Sequence, residues 1–391
     1  MMPTMPASAA RPSPRAVVTA VFFAFAIGLG LWAGSIPALM RQTGLDVAGL
    51  GLAITLHTGA YIAAMAGGGQ LARHIPPRRL ALLALLALVP CFGALFTAGS
   101  PLMLMAAFTA VGLSAGLLDL AMNAEGTAVE HDLGRPVLLS MHAAASGAFA
   151  LGALAGSLIA THGGPPWCAL VVGVVALPVA LAQHRLGPRL HAPVPSLAVP
   201  QRGGGLPPGI VRIGIVLGLT IGAEMAAQMW SARFLERQAA ELAAFAGAGA
   251  AFFAGFQSVV RLFGDPLRRR LGDDRVIVLS LIVAALGFVT VATSAQFAQS
   301  LLGFALVGLG TACVVPCCFA LAARRAAAKA AAALGLASLI AGSIRLPAPM
   351  VLGAVAAAWS DAAAFAGVAG GLLIALVLAW QGRREAPTPR T

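Results

Sequence analysis

A chain of 391 residues that is 59% hydrophobic and only 10% charged, with a mean hydropathy of +0.90, is excluded from the soluble globular classes. Its formal charge of +12 comes as short basic clusters between apolar runs, which reads as topology signals and not as a nucleic-acid surface. The runs are long, rich in Ala, Leu and Gly, and do not alternate, so helices are expected in place of barrel strands.

In chain order, Arg11 and Arg15 precede an apolar run from Ala16 to Leu39. That run exceeds the roughly 7–15 residues of a signal core and shows no cleavage site, so a retained first span is expected. Further spans are expected at 46–72, 79–99, 102–127, 137–161, 166–186, 209–232, 242–264, 275–295, 298–322, 330–355 and 361–381. The fold class is therefore an all-α membrane protein with 12 transmembrane helices. Residues 187–208 are rich in Pro and Gly and lack an apolar period, which marks a linker between a half at 16–186 and a half at 209–381. Residues 1–15 and 382–391 are tails. With the amino terminus placed in the cytoplasm, twenty Lys and Arg residues fall on that side and three (Arg41, Arg233 and Arg237) on the other, so both termini are expected inside.

The halves repeat. Phe108-x-x-Val111-Gly112-Leu113 recurs 196 residues later as Phe304-x-x-Val307-Gly308-Leu309. Trp32 with Arg41-Gln42 recurs as Trp230 with Arg237-Gln238, and the basic turn Gly69–Arg79 lies opposite Gly264–Arg275. Such internal repetition is a signature of transporters built from two related halves.

Within this frame the stretch Gly112–Pro136 drives Asp119 and Asn123, one turn apart, into an apolar helix. An ionisable group at that depth costs roughly 2.5–3.5 kcal/mol on insertion scales, and such groups face cavities. Asp119, Asn123 and Glu130 share one face to within about 40°. His142 in span five could be brought near Asp119 by the hairpin. A carboxyl there can load and release a proton as access alternates; the alternative is an acid satisfied by His142 or by backbone, serving packing alone. Glu224, followed by Gln228 and Trp230, places a second acid in span seven, with a structural pairing to Arg261 or Arg345 as its alternative. Arg345 precedes Pro347 and Pro349, which suggests a kinked helix beside a cavity; it either neutralises Glu224 or recognises an anionic substrate. Trp32 and Trp230 are cavity candidates or interfacial anchors. His57 reads as a packed polar residue. Glu125 and Glu130 facing Arg73, Arg78 and Arg79, together with Arg261 and Arg270, are expected to form a cytoplasmic gate of ion pairs, the alternative being a solvated loop.

The five cysteines, Cys91, Cys168, Cys313, Cys317 and Cys318, lie in apolar stretches and read as small hydrophobes; no metal site and no cofactor is expected. No phosphate-binding G-x-x-x-x-G-K-S/T loop and no usable catalytic constellation is present, so neither an ATP-driven pump nor a membrane enzyme is expected.

Two six-span halves, a central linker and basic turns after spans two and eight resemble the major facilitator superfamily. The string Asp119-x-x-x-Asn123-x-Glu125-Gly126 with Glu130, then Met141-His142, Glu224, Trp230, Gly255, Arg261 and Gly264, is similar to the YbjJ-like branch of bacterial permeases related to fucose permeases. The chain departs from the superfamily turn in carrying Arg73 and Arg269 where an acid is usual. The resemblance implies a central cavity, alternating access, a monomer in the bacterial inner membrane, and secondary transport of a small molecule. Proton-coupled uptake of a polar metabolite is the expected activity; efflux by proton antiport, or a non-transporting sensor or scaffold, are the alternatives. Nucleic acid is not an expected partner.

Overall fold

Residues 13–135, 137–186, 209–326 and 329–384 are described by the computed structural model; the expected linker 187–208 and most of both tails lie outside them. The first half comprises α1 (Pro14–Thr43), α2 (Val47–Leu71), α3 (Pro77–Phe96), α4 (Pro101–Leu133), α5 (Leu138–His162) and α6 (Pro166–Arg185). The second comprises α7 (Ile210–Gln238), α8 (Ala248–Leu271), α9 (Asp273–Ala292), α10 (Phe297–Thr311), α11 (Val314–Arg325), α12 (Ala330–Arg345), α13 (Ala348–Ala358) and α14 (Asp361–Arg384). Joining α10 to α11 and α12 to α13 as single spans gives twelve helices long and apolar enough to cross a membrane, in two groups of six.

Local sequence sets the helix ends. Asp46 and Ser100 cap α2 and α4 by accepting from Gly49 N (2.7 Å) and Met103 N (3.3 Å). Gly44 and Gly134 end α1 and α4 in the left-handed region, with φ of 73° and 60°. The helix α4 runs six residues beyond the expected end at 127, so Glu125 and Glu130 are helical and not part of a loop. The breaks in the tenth and eleventh spans fall beside Pro316 and at Pro347 and Pro349, residues that cannot continue the backbone ladder. Their first-half counterparts α4 and α5 are unbroken.

The repeat read in the sequence is a packing repeat. A Cβ on Gly112 would lie 2.3 Å from the His57 carbonyl oxygen, and one on Gly308 would lie 2.1 Å from that of Phe253. Each glycine thus lets a fourth or tenth span press against the backbone of a second or eighth, and His57 and Phe253 are also 196 residues apart.

Between the halves the close approaches cluster on the face opposite the basic helix ends. A Cβ on Gly51 would meet the Pro349 carbonyl at 2.7 Å, and one on Gly247 would meet that of Ala153 at 1.9 Å. Arg41 and Glu236 pair across the ends of α1 and α7. The helices α4 and α11 share no packed interface among the described residues. The tightest described contacts between the halves are thus on the face away from the basic helix ends.

Candidate functional site

The acids that the sequence singles out stand near mid-depth in opposite halves. In the first half, Tyr61 Oη on α2 donates to Asp119 Oδ2 on α4 at 2.6 Å. Asn123 Nδ2 donates to Asp119 Oδ1 at 3.0 Å and to the Asp119 carbonyl at 2.8 Å. The other end of the same amide, Oδ1, meets His142 Nε2 on α5 at 3.0 Å. His142 therefore reaches Asp119 through Asn123 and not directly, as the hairpin argument allowed, because Asn123 occupies the turn nearer the basic end, where α5 begins. The Phe22 ring closes the far side of His142, edge-on at 5.1 Å.

In the second half, Gln257 Nε2 on α8 donates to Glu224 Oε1 at 2.8 Å and to Thr311 Oγ1 at 3.3 Å. Thr311 sits at the α10 break. Gln228 continues the Glu224 face one turn on, half-buried and without a side-chain hydrogen bond among the described residues. Neither Asp119 nor Glu224 has a cationic nitrogen within 4.0 Å among the described residues; both are held by neutral donors.

Two arginines complete the centre, and both correct the sequence reading. Arg345 does not pair with Glu224. Its guanidinium carbon lies 5.3 Å above the Tyr61 ring centroid, within electrostatic reach of Asp119 and His57. The α12–α13 break turns it across the interface onto the first half. Arg261 is not at the cytoplasmic gate. It lies near mid-depth, where Nη1 donates to Ser146 Oγ at 3.0 Å across the halves, with Glu224 and His142 both in electrostatic reach. Ser258 Oγ, donating to the Ala143 carbonyl at 3.0 Å, ties α8 to α5 beside it. A chain of polar groups thus runs from Arg345 through Tyr61, Asp119, Asn123 and His142 towards Arg261, Glu224 and Gln257.

Around this chain, Trp32 and Trp230 are each 1% exposed, so neither is an interfacial anchor. Trp32 packs between the rings of Phe108 (4.7 Å) and His57 (4.9 Å). His57 Nδ1 lies 3.1 Å from the Phe108 carbonyl.

A family model of the Major Facilitator Superfamily matches residues 18–208. An uncharacterized MFS-type transporter of Yersinia pestis is 28% identical over 89% of this chain and 90% of its own length. The nucleoside transporter NupG superposes with a TM-score of 0.71 at 13% identity, covering 96% of this chain and 100% of NupG. FucP, a member of the superfamily solved in the outward conformation, superposes with a TM-score of 0.61 at 16% identity, over 96% and 99% of the two chains. At such identities the two solved structures speak for the fold alone.

The chain thus resembles the major facilitator superfamily, through the family model in its first half and through an MFS-type relative along nearly its whole length. Its twelve long apolar helices make it a multi-pass membrane protein, and the proteins it resembles are transporters of small molecules, not enzymes.

The likeness to the superfamily directs attention to the basic turns, where the expected gate is rearranged. Arg78 Nε pairs with Glu125 Oε2 at 2.9 Å, but both belong to the first half and are buried, at 7% and 1% exposure. Gln183 Nε2 on α6 donates to the Arg78 carbonyl at 3.0 Å. The pair clamps α3 to α4 within one half, so it is not a latch between the halves. Glu130 Oε2 accepts from Val137 N (2.8 Å) and Leu138 N (2.9 Å) and so caps α5 instead of meeting an arginine. Arg73, Arg79 and Arg270 are exposed and make no ion pair among the described residues. In the second half the corresponding clamp has reversed polarity: Asp273 at the start of α9 pairs with Arg268 (2.9 Å) and Arg324, and Arg325 pairs with Asp274 (3.2 Å). Arg78 and Asp274 occupy matching places, each the second residue of its helix (α3 and α9) and 196 residues apart.

Sequence reasoning missed Tyr61, Ser146, Gln257, Thr311 and the Asp273 cluster. The signal for two of them was present: Tyr61 is the chain's one tyrosine, and Gln257 lies 196 residues after it, at the spacing of the Phe108 and Phe304 repeat.

Proposed function

We propose that the chain is a proton-coupled secondary transporter that takes up a small polar metabolite by rocking its two halves about the Asp119–Glu224 centre. The observation that carries this reading is the pair of mid-depth acids, each half-buried and held by neutral hydrogen-bond donors without an ion pair. An acid so placed can take up a proton without breaking a salt bridge, and can exchange it with whichever face is open. The density of amide, imidazole, hydroxyl and guanidinium groups favours a polar cargo over a lipophilic one. The transporter acts as a monomer in the bacterial inner membrane, without a cofactor, with both termini and the basic face in the cytoplasm. The string of residues through Asp119, His142 and Glu224 supports placing it in the YbjJ-like branch.

The test is a lightly buffered suspension of cells that overproduce the protein, given pulses of sugars, polyols and carboxylates. At least one compound is expected to alkalinise the medium as it enters, and the Asp119→Asn and Glu224→Gln variants are expected to abolish that signal. Uptake without alkalinisation contradicts the coupling.

A further inference from the structure

Arg345 differs from the other inward-lying arginines. Arg78 has Glu125, Arg233 has Asp361, Arg268 has Asp273 and Arg325 has Asp274, each within ion-pair distance. Arg261 has a hydrogen bond to Ser146. Arg345 has no carboxylate within 4.0 Å among the described residues, and its Nε is buried without a hydrogen-bond acceptor. What holds the guanidinium is the face of Tyr61, whose hydroxyl is already committed to Asp119. The site lies at the break between α12 and α13, so the amino end of α13, the positive end of that helix dipole, adjoins the same arginine. A cation held ready at mid-membrane depth, with free donor positions and a second positive feature beside it, has no anion in direct contact, since Asp119 is reached only across Tyr61.

We infer that the transported molecule is a small organic anion whose carboxylate docks on Arg345, beside Tyr61 and Asp119, at the seam between α2 and the α12–α13 break. A guanidinium presents a planar fork of donors that matches a carboxylate edge, and Tyr61 fixes the plane of that fork from below. The charge balance of the centre then gives the coupling. With Asp119 and Glu224 ionised, the two acids match Arg345 and Arg261 one for one. A monoanion added at Arg345 leaves one uncompensated negative charge in a low-dielectric cavity, and a proton on Asp119 removes it. One proton therefore enters with each monoanion, and the cycle moves no net charge. This coupling step rests on the proton-coupled reading given above; the docking of the anion on Arg345 does not.

The experiment is thermal unfolding of the purified full-length protein with matched pairs that differ in charge: glucuronate against glucose, lactate against lactamide, and benzoate against benzamide. At least one carboxylate is expected to raise the midpoint while its neutral partner does not, and the response is expected to vanish in Arg345→Gln. Arg345→Lys, which keeps the charge but loses the fork, is expected to retain a response weakened at least tenfold in apparent affinity. The unliganded midpoints of both variants show whether they are folded. Equal responses within every pair, no response to any carboxylate, or an undiminished response in folded Arg345→Gln would each overturn the inference. Proton coupling is read separately. Alkalinisation driven only by a neutral compound removes the anion site and leaves the coupling standing, whereas Arg345-dependent anion binding with parental transport in Asp119→Asn does the reverse.

Discussion

The hydroxyl of Tyr61 donates to the carboxylate of Asp119 at 2.6 Å, joining α2 to α4 directly beneath the guanidinium of Arg345. One side chain thereby serves an acid with its polar end and a cation with its ring.

Replacing Tyr61 by Phe separates those two services. The ring remains under Arg345, while the loss of one hydrogen bond costs about 0.5–1.5 kcal/mol. The expected result is a small drop in the unfolding midpoint with a much larger fall in proton-driven uptake. Tyr61→Ala, which also removes the aromatic face, is expected to weaken anion stabilisation as well. Thermal unfolding beside uptake kinetics checks both.

The Arg78–Glu125 pair is a clamp inside one half, so its loss should act on stability. Breaking a buried pair by removing one partner costs about 3–5 kcal/mol because a charge is left uncompensated. Glu125→Ala is expected to lower the unfolding midpoint sharply, and Glu125→Asp to recover part of it. A gate latch would instead leave stability nearly unchanged and shift labelling of the cavity.

Gly51 and Gly247 let the halves close on the face away from the basic turns. A Cβ at Gly247 would lie 1.9 Å from a backbone oxygen, which no rotamer change can relieve. Gly247→Val is expected to keep that face from closing. In cells it should render a Gln228→Cys reporter reactive to a membrane-impermeant maleimide added outside, while the same reporter in the parent stays protected.

The two copies of the packing repeat should fail alike. Gly112→Ala and Gly308→Ala each force a methyl group onto a backbone carbonyl at 2.3 Å and 2.1 Å. Overpacking of this kind costs roughly 1–3 kcal/mol. Similar losses in unfolding midpoint are expected from both, measured in the same detergent.

Much of the frame was legible in the sequence because it rests on quantities that composition expresses. Span length follows bilayer thickness, and the basic clusters mark the helix ends of one face. The 196-residue repeat was readable because Gly112 and Gly308 do the same steric work. Asp119 and Glu224 stood out because acids are rare in apolar spans. The partners of these acids were harder to read. Which groups meet depends on how each helix is rotated against its neighbours, and neither the lone tyrosine at 61 nor the repeat spacing to Gln257 says which acid each one meets. A buried arginine suggests a buried acid, which makes Glu224 one of the two partners that the sequence offers Arg345; the broken helix turns it onto Tyr61 instead. The expected gate failed for a related reason. Falling hydropathy after Gly126 looked like the approach to a loop, but Glu125 is satisfied inside the bundle by Arg78, so the helix continues and Glu130 becomes a cap.

The most direct test of the central claim uses proteoliposomes loaded with the compound that the alkalinisation screen selects. In Asp119→Asn and Glu224→Gln, exchange of that compound across the membrane is expected to persist while accumulation driven by an imposed proton gradient disappears. Accumulation at the parental rate in both variants would contradict the assignment of Asp119 and Glu224 as the groups that couple protons to transport.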